Sequence, residues 1–139
     1  MATVIHFDHD VEYLDTPVGP APALMVALAN PVRPGRFIDA LAYLDTGAQR
    51  TVFDGEFAEG LGIDILRGKK VLMSATHGSS IGTREHHVTL SHPACGTLSL
   101  IICFSEEQIH RNLLGRDFLG LLQIGLRHYD QMFFVSPRR

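Results

Sequence analysis

Asp45 is the residue on which chemistry is most readily placed. It closes the apolar run Leu41-Ala42-Tyr43-Leu44 and is followed by Thr46, Gly47 and Ala48, so a carboxylate sits where a buried strand must break into a tight turn. Burying an unpaired carboxylate is expensive, or drives the group to its neutral form. An acid at the end of an apolar run is therefore paired, hydrogen-bonded or functional. Taken alone, Asp-Thr-Gly is also an ordinary strand-to-turn corner, because all three residues favour turns.

Two other constellations compete for the chemistry. Gly78-Ser79-Ser80-Ile81-Gly82 satisfies the G-x-S-x-G pattern, and Asp117 and His128 follow in the order a hydrolase triad needs. A nucleophile elbow requires strand, sharp turn and helix in a parallel sheet, whereas Glu85 to Leu90 reads as a strand and the chain offers few helices. The eight histidines include the neighbours His86 and His87, with His77 and His92 nearby. On a strand His86 and His92 face one way and His87 the other, so a three-ligand site needs a residue from elsewhere. No Cys-x-x-Cys or His-Glu-x-x-His spacing is present. These histidines read as solvent-facing, and neither a metal nor another cofactor is expected.

A second motif lies at Asn112-Leu113-Leu114-Gly115-Arg116-Asp117-Phe118-Leu119. Together with Asp45-Thr46-Gly47-Ala48 behind a hydrophobic strand, and with the closing strand Gln131-Met132-Phe133-Phe134-Val135, it resembles the single-domain, retropepsin-like aspartic proteases. That resemblance implies an aspartic endopeptidase. Hydrolysis of a peptide bond by carboxylates needs two of them sharing one proton, one acting as base on a water and the other as acid toward the carbonyl oxygen. The chain carries a single Asp-Thr-Gly. A catalytic unit therefore needs a homodimer, each chain giving its Asp45 across a two-fold axis. Two facing carboxylates repel unless one is protonated, which predicts a tighter dimer at pH 5 than at pH 8.

The resemblance assigns further roles. Asp45, Thr46 and Gly47 form the catalytic motif; Thr46 hydrogen-bonds across the interface, and Gly47 and Ala48 allow close approach. Gly115, Arg116 and Asp117 support the dimer. A flap hairpin around residues 75–82 brings Thr76, His77, Gly78, Ser79 and Ser80 over a bound peptide or protein substrate and excludes water. Leu44, Ile81, Leu113 and Leu114 are candidate groove residues. The acid that often pairs with the motif arginine in viral members is missing, because Gln49 and Arg50 follow Ala48. Asp54, Glu56, Asp117 or a carbonyl is then the partner of Arg116. A reading of another class is a non-catalytic dimeric module with this fold that binds peptides or a partner.

Composition sets the bounds. At 139 residues, 45% apolar and 19% charged, the chain is one ordinary globular domain. A formal net charge of -3 without a basic run gives nucleic-acid binding no support. No stretch approaches the roughly 18 consecutive apolar residues of a membrane span, and Met1 to His6 lacks a basic segment followed by an apolar one. The expected location is cytoplasmic, with no membrane partner, and Cys95 and Cys103 are expected to be reduced, partly buried thiols.

The elements that must position Asp45 follow from pattern and turn chemistry. Residues 1–20, with a strand-like Thr3 to Phe7, read as an N-terminal extension: an added edge strand or an arm across a partner. Residues 21–139 read as the protease-like domain. Ala23 to Ala29 and Arg36 to Leu44 form a hairpin that delivers Asp45. Thr51 to Phe53 is β-prone, and Asp54 caps a short helix ended by Gly62. Lys70 to Ala75 and Glu85 to Ser91 flank the flap tip, Thr97 to Phe104 is a central strand, Arg116 to Leu121 a short C-terminal helix, and Gln123 to Leu126 with Met132 to Val135 the last hairpin. The class is all-β and the architecture a small, partly closed barrel.

Overall fold

The alternation of apolar and small residues in Ala23-Leu24-Met25-Val26-Ala27-Leu28-Ala29 makes strand β4 (Ala23–Ala29), which buries Leu24, Val26 and Leu28 while Met25 faces out. Its antiparallel partner β5 (Phe37–Leu44) runs from Phe37 opposite Ala29 to Tyr43 opposite Ala23. This hairpin points its C-terminal end at Asp45, as expected. The computed structural model describes residues 1–33, 35–74 and 78–138, and the chain is all-β with short helical turns.

The strands preceding β4 are β1 (His9–Glu12), β2 (Leu14–Thr16) and β3 (Gly19–Ala21); after β5 come β6 (Val52–Asp54), helix α1 (Gly55–Gly60), β7 (Lys69–Ser74), β8 (Ser80–His92) and β9 (Gly96–Ser105). The chain finishes with β10 (Asn112–Leu114), helix α2 (Arg116–Leu119), β11 (Leu122–Arg127) and β12 (Met132–Pro137). The main sheet has the order β4-β5-β10-β6-β9-β8-β7, and β4 also pairs with β8. Six strands are thereby linked in a ring, and β7 hangs outside it on β8.

Two parallel pairings thread the centre of this ring. Leu113 of β10 lies beside Tyr43, and Phe53 of β6 lies beside Phe104 of β9. Phe53, Phe104, Phe118 and Phe133 are fully buried with Leu24, Leu28, Leu61, Leu90, Ile102 and Leu114. Each such side chain contributes about 1.5–3 kcal/mol by leaving water. Phe118 matters most to the site, because it anchors α2, and with it the segment that abuts the Asp45 turn.

Helix α1 starts as its sequence predicts, with the Asp54 side chain accepting from the Glu56 N–H at 2.9 Å. Its last helical residue is Gly60 and its C-cap Leu61, so Gly62 terminates it from the position just beyond the cap, as expected. Gly62, at φ +72, then gives its N–H to Glu59 and Ile63 gives its own to Ala58, which satisfies the last carbonyls of the helix.

The largest departure lies at the N-terminus. Thr3 to Phe7 is not a strand; the strand is β1, which lies antiparallel to β12. Phe7 explains the shift. Its ring packs on Phe134 at 5.8 Å between centroids and against Gly125, which seats the segment on the face of the sheet and leaves Val4 and Ile5 exposed. Helix α2 ends earlier than the sequence suggests, at Leu119, with Gly120 as its C-cap. Among the described residues no helix is long and apolar enough to cross a membrane.

Candidate active site

Asp45 leaves β5 at a four-residue turn closed by the Ala48 N–H on the Asp45 carbonyl at 3.2 Å. The Asp45 carboxylate accepts from the Gly47 N–H at 2.9 Å through Oδ1, a side-chain-to-backbone bond of the kind aspartate makes in turns. Its own N–H donates to the Leu114 carbonyl at 3.0 Å. The carboxyl is half-buried, whereas Thr46 and Gly47 are exposed, so the motif forms an outward-facing corner and not a buried ion pair. Gly47 has a local reason as well: a Cβ there would stand 3.2 Å from Asp45 Oδ1.

The second motif is brought directly against the first. The Arg116 N–H donates to the Ala48 carbonyl at 2.8 Å, and the Arg116 guanidinium donates to the Thr46 carbonyl at 3.1 Å. The partner of Arg116 is thus a backbone carbonyl. Gly115 is buried and has no room for a side chain, since a Cβ would meet the Arg50 carbonyl at 2.6 Å and that of Ala48 at 2.9 Å.

Asp117 faces inward. Its carboxylate accepts from the Thr51 N–H at 2.9 Å, from the Thr51 hydroxyl at 2.7 Å and from the Phe118 N–H at 2.8 Å. Thr51, fully buried, also accepts the Gly115 N–H at 3.1 Å. Thr51 is therefore the centre of a closed network joining the stretch after Asp45 to the start of α2. Its sequence signal was faint, because a threonine in Thr-Val-Phe reads simply as a strand residue.

Arg50 and Asn112 are two further residues that sequence reasoning did not single out. Arg50 Nη1 donates to Glu85 Oε1 at 2.9 Å and its Nε lies 3.5 Å from Asp117 Oδ2. Burial works against the Arg50 charge, but the hydrogen bond to Glu85 and the adjoining acidic groups outweigh it and raise its pKa. Buried Asn112 donates to the Leu41 carbonyl at 3.0 Å and accepts the Asp54 N–H at 2.9 Å, locking β10 between β5 and β6.

The flap is expected around residues 75–82, between β7 and β8. Gly78, at φ +77, and Ser79 directly precede Ser80, the first residue of β8; Thr76 and His77 fall outside the described residues. Leu44, Ile81 and Leu113 are half-buried and suited to line a groove, whereas Leu114 is fully buried and belongs to the core.

Among the described residues the rival constellations do not assemble. Ser80 starts a strand and is not at a strand-to-helix elbow, Asp117 is engaged by Thr51, and His128 Nδ1 pairs with the Tyr13 hydroxyl at 3.1 Å. The ring of His86 donates to the Ile65 carbonyl at 2.8 Å and that of His87 meets the Ser99 hydroxyl. Cys95 and Cys103 are free and buried. Burial pushes the Cys95 thiol up to about 11 and raises that of Cys103, which leaves neither suited to nucleophilic work.

No family model and no curated protein matches the sequence. Solved structures do. The fold is similar to that of EIAV protease complexed with the inhibitor HBY-793, with a TM-score of 0.56 and 19% identity over 77% of this chain and 92% of that one. It is also similar to a retropepsin-like aspartic protease from Rickettsia conorii, with a TM-score of 0.63 and 10% identity over 97% of this chain and 99% of that one. The chain thus has the retropepsin-like aspartic protease fold.

Proposed function

We propose that the protein is an aspartic endopeptidase, active as a homodimer that places two Asp45 side chains on either side of one water. The observation that carries this reading is the outward-facing Asp45-Thr46-Gly47 corner, its aspartate half-buried, held by α2 within a fold shared with two proteases. One carboxylate takes a proton from the water as it attacks the scissile carbonyl; the other, protonated, donates to the carbonyl oxygen. The proton then passes to the leaving amine.

The substrate is an extended peptide whose main chain pairs with the hairpin around residues 75–82, while Leu44, Ile81 and Leu113 offer apolar contacts. Thr46 hydrogen-bonds to the partner chain and keeps the carboxylates in register. Subunit mixing tests the shared site. Adding excess inactive Asp45→Asn chain to a fixed amount of wild type should suppress peptide cleavage as mixed dimers form. Cleavage that stays proportional to wild type, at any excess, would show a site complete within one chain.

A further inference from the structure

We infer that Arg50 is a positioning residue for the proposed protease reaction, coupling the flap hairpin to the catalytic turn through Glu85. This rests on the protease reading above for its catalytic meaning, but not for its structural one.

Strand β9 ends opposite Thr83, where Ser105 is its last rung on β8. Beyond that point one further bond joins the two segments, the Glu106 N–H donating to the Gly82 carbonyl at 2.9 Å, while Ser80 and Ile81 pair with Ser74 and Met73 of β7. The outer end of the hairpin is thus a two-stranded projection, which on its own is marginally stable in water. Its orientation is set at the root, residues 83–86, where every side chain is anchored. The Thr83 hydroxyl donates to the Val71 carbonyl at 2.7 Å, Arg84 pairs with Glu106 at 2.6 Å, and His86 bonds the Ile65 carbonyl. These three bonds hold the hairpin to its own sheet and to the loop before β7.

Glu85 differs from them. Its carboxylate reaches Arg50, five residues beyond Asp45, whose backbone packs against Gly115 and whose Nε faces Asp117. The path from flap to Asp45 is therefore short: the ion pairs of Glu85 with Arg50 and of Arg50 with Asp117, then the bonds of Arg116, next in the chain to Asp117, through its N–H to the Ala48 carbonyl and through its guanidinium to the Thr46 carbonyl. The Arg50 and Glu85 side chains are only 27% and 22% exposed, so the pair is shielded from much of the screening that makes surface ion pairs weak. A planar guanidinium with two acids on separate edges fixes both angle and distance, which a lysine cannot do.

The test compares wild type with Arg50→Gln, Arg50→Lys, Glu85→Gln and the double variant Arg50→Gln/Glu85→Gln. Amide hydrogen exchange comes first, without substrate and in an Asp45→Asn background, so that it does not depend on activity. Faster exchange over residues 80–85 in each Gln variant, with β4 and β5 unchanged, is the expected result; unchanged exchange at the hairpin overturns the coupling. Peptide kinetics follow. Misplacing a closing element by about 1 Å can cost on the order of a hundredfold; here each Gln variant should lose about tenfold in kcat/KM. The loss should fall on kcat as well as KM, the double variant should lose no more than either single one, and Arg50→Lys should recover little. Additive losses, or full rescue by lysine, would show a general effect of charge and overturn the assignment. If wild type cleaves nothing, the protease reading fails while the exchange result still decides the coupling.

Discussion

The hydroxyl of Thr51 donates to Asp117 Oδ1 at 2.7 Å across 66 residues of sequence. With the buried Gly115 N–H on the same hydroxyl, this bond fastens the start of α2 beneath the Asp45 turn through a fully buried Thr51, where a hydrogen bond is costly to leave unmade.

Thr51→Val keeps the volume and removes the hydroxyl, leaving a buried Gly115 N–H without its acceptor. An orphaned donor of this kind costs about 1–3 kcal/mol. Urea unfolding should show a drop of that size with an unchanged m-value, and Thr51→Ser should recover most of it. A Thr51→Val protein as stable as wild type would mean that the network contributes little.

Gly115→Ala places a methyl group 2.6 Å from the Arg50 backbone, and neither side is a flexible chain end that could yield. The expected outcome is destabilisation of about 1–3 kcal/mol by overpacking, together with loss of any peptide cleavage, because Arg116 and the Ala48 carbonyl must move apart. Thermal melting and activity read the two effects separately. A variant that melts and behaves like wild type would contradict the tight approach seen here.

His92 should make stability sensitive to mild acid. Its burial, with the nearby His9 charge adding to it, lowers its pKa in the folded chain, and its Nδ1 accepts the Ala94 N–H at 3.0 Å in the turn before β9. The unfolded chain therefore binds a proton more readily than the folded one. The contribution is present above the unfolded value of about 6.5 and is lost as pH falls below it toward the folded value. His92→Asn keeps a short acceptor for Ala94 and removes the titration. Melting temperatures of wild type and variant should converge as pH falls from 7 to 5; a constant difference would refute the linkage.

Much of this fold was legible because its signals are local. The β4 boundaries follow from alternation, α1 from its Asp54 cap, and the meeting of Asp45-Thr46-Gly47-Ala48 with Gly115-Arg116-Asp117 from their resemblance to a known pair of motifs. What sequence reasoning missed was long-range. Arg50 was read only as the absence of an acid, yet it supplies the cation of an ion pair to Asp117, with the acid now on α2. Thr51 and Asn112 carry no pattern of their own; their roles appear only when strands distant in sequence are laid side by side. The strand expected at Thr3 to Phe7 failed for a similar reason, since β propensity does not decide a strand without an edge to pair with.

Cleavage of a diverse peptide mixture by wild type and Asp45→Asn, followed from pH 4 to pH 7, tests the shared-carboxylate chemistry most directly. Wild type should cleave, most strongly on the acidic side where one of two facing carboxylates holds a proton, and Asp45→Asn should lose at least about a thousandfold. Equal cleavage by both proteins, or none by a wild type shown to be dimeric, would contradict a catalytic Asp45 and leave a retropepsin-like fold put to another use.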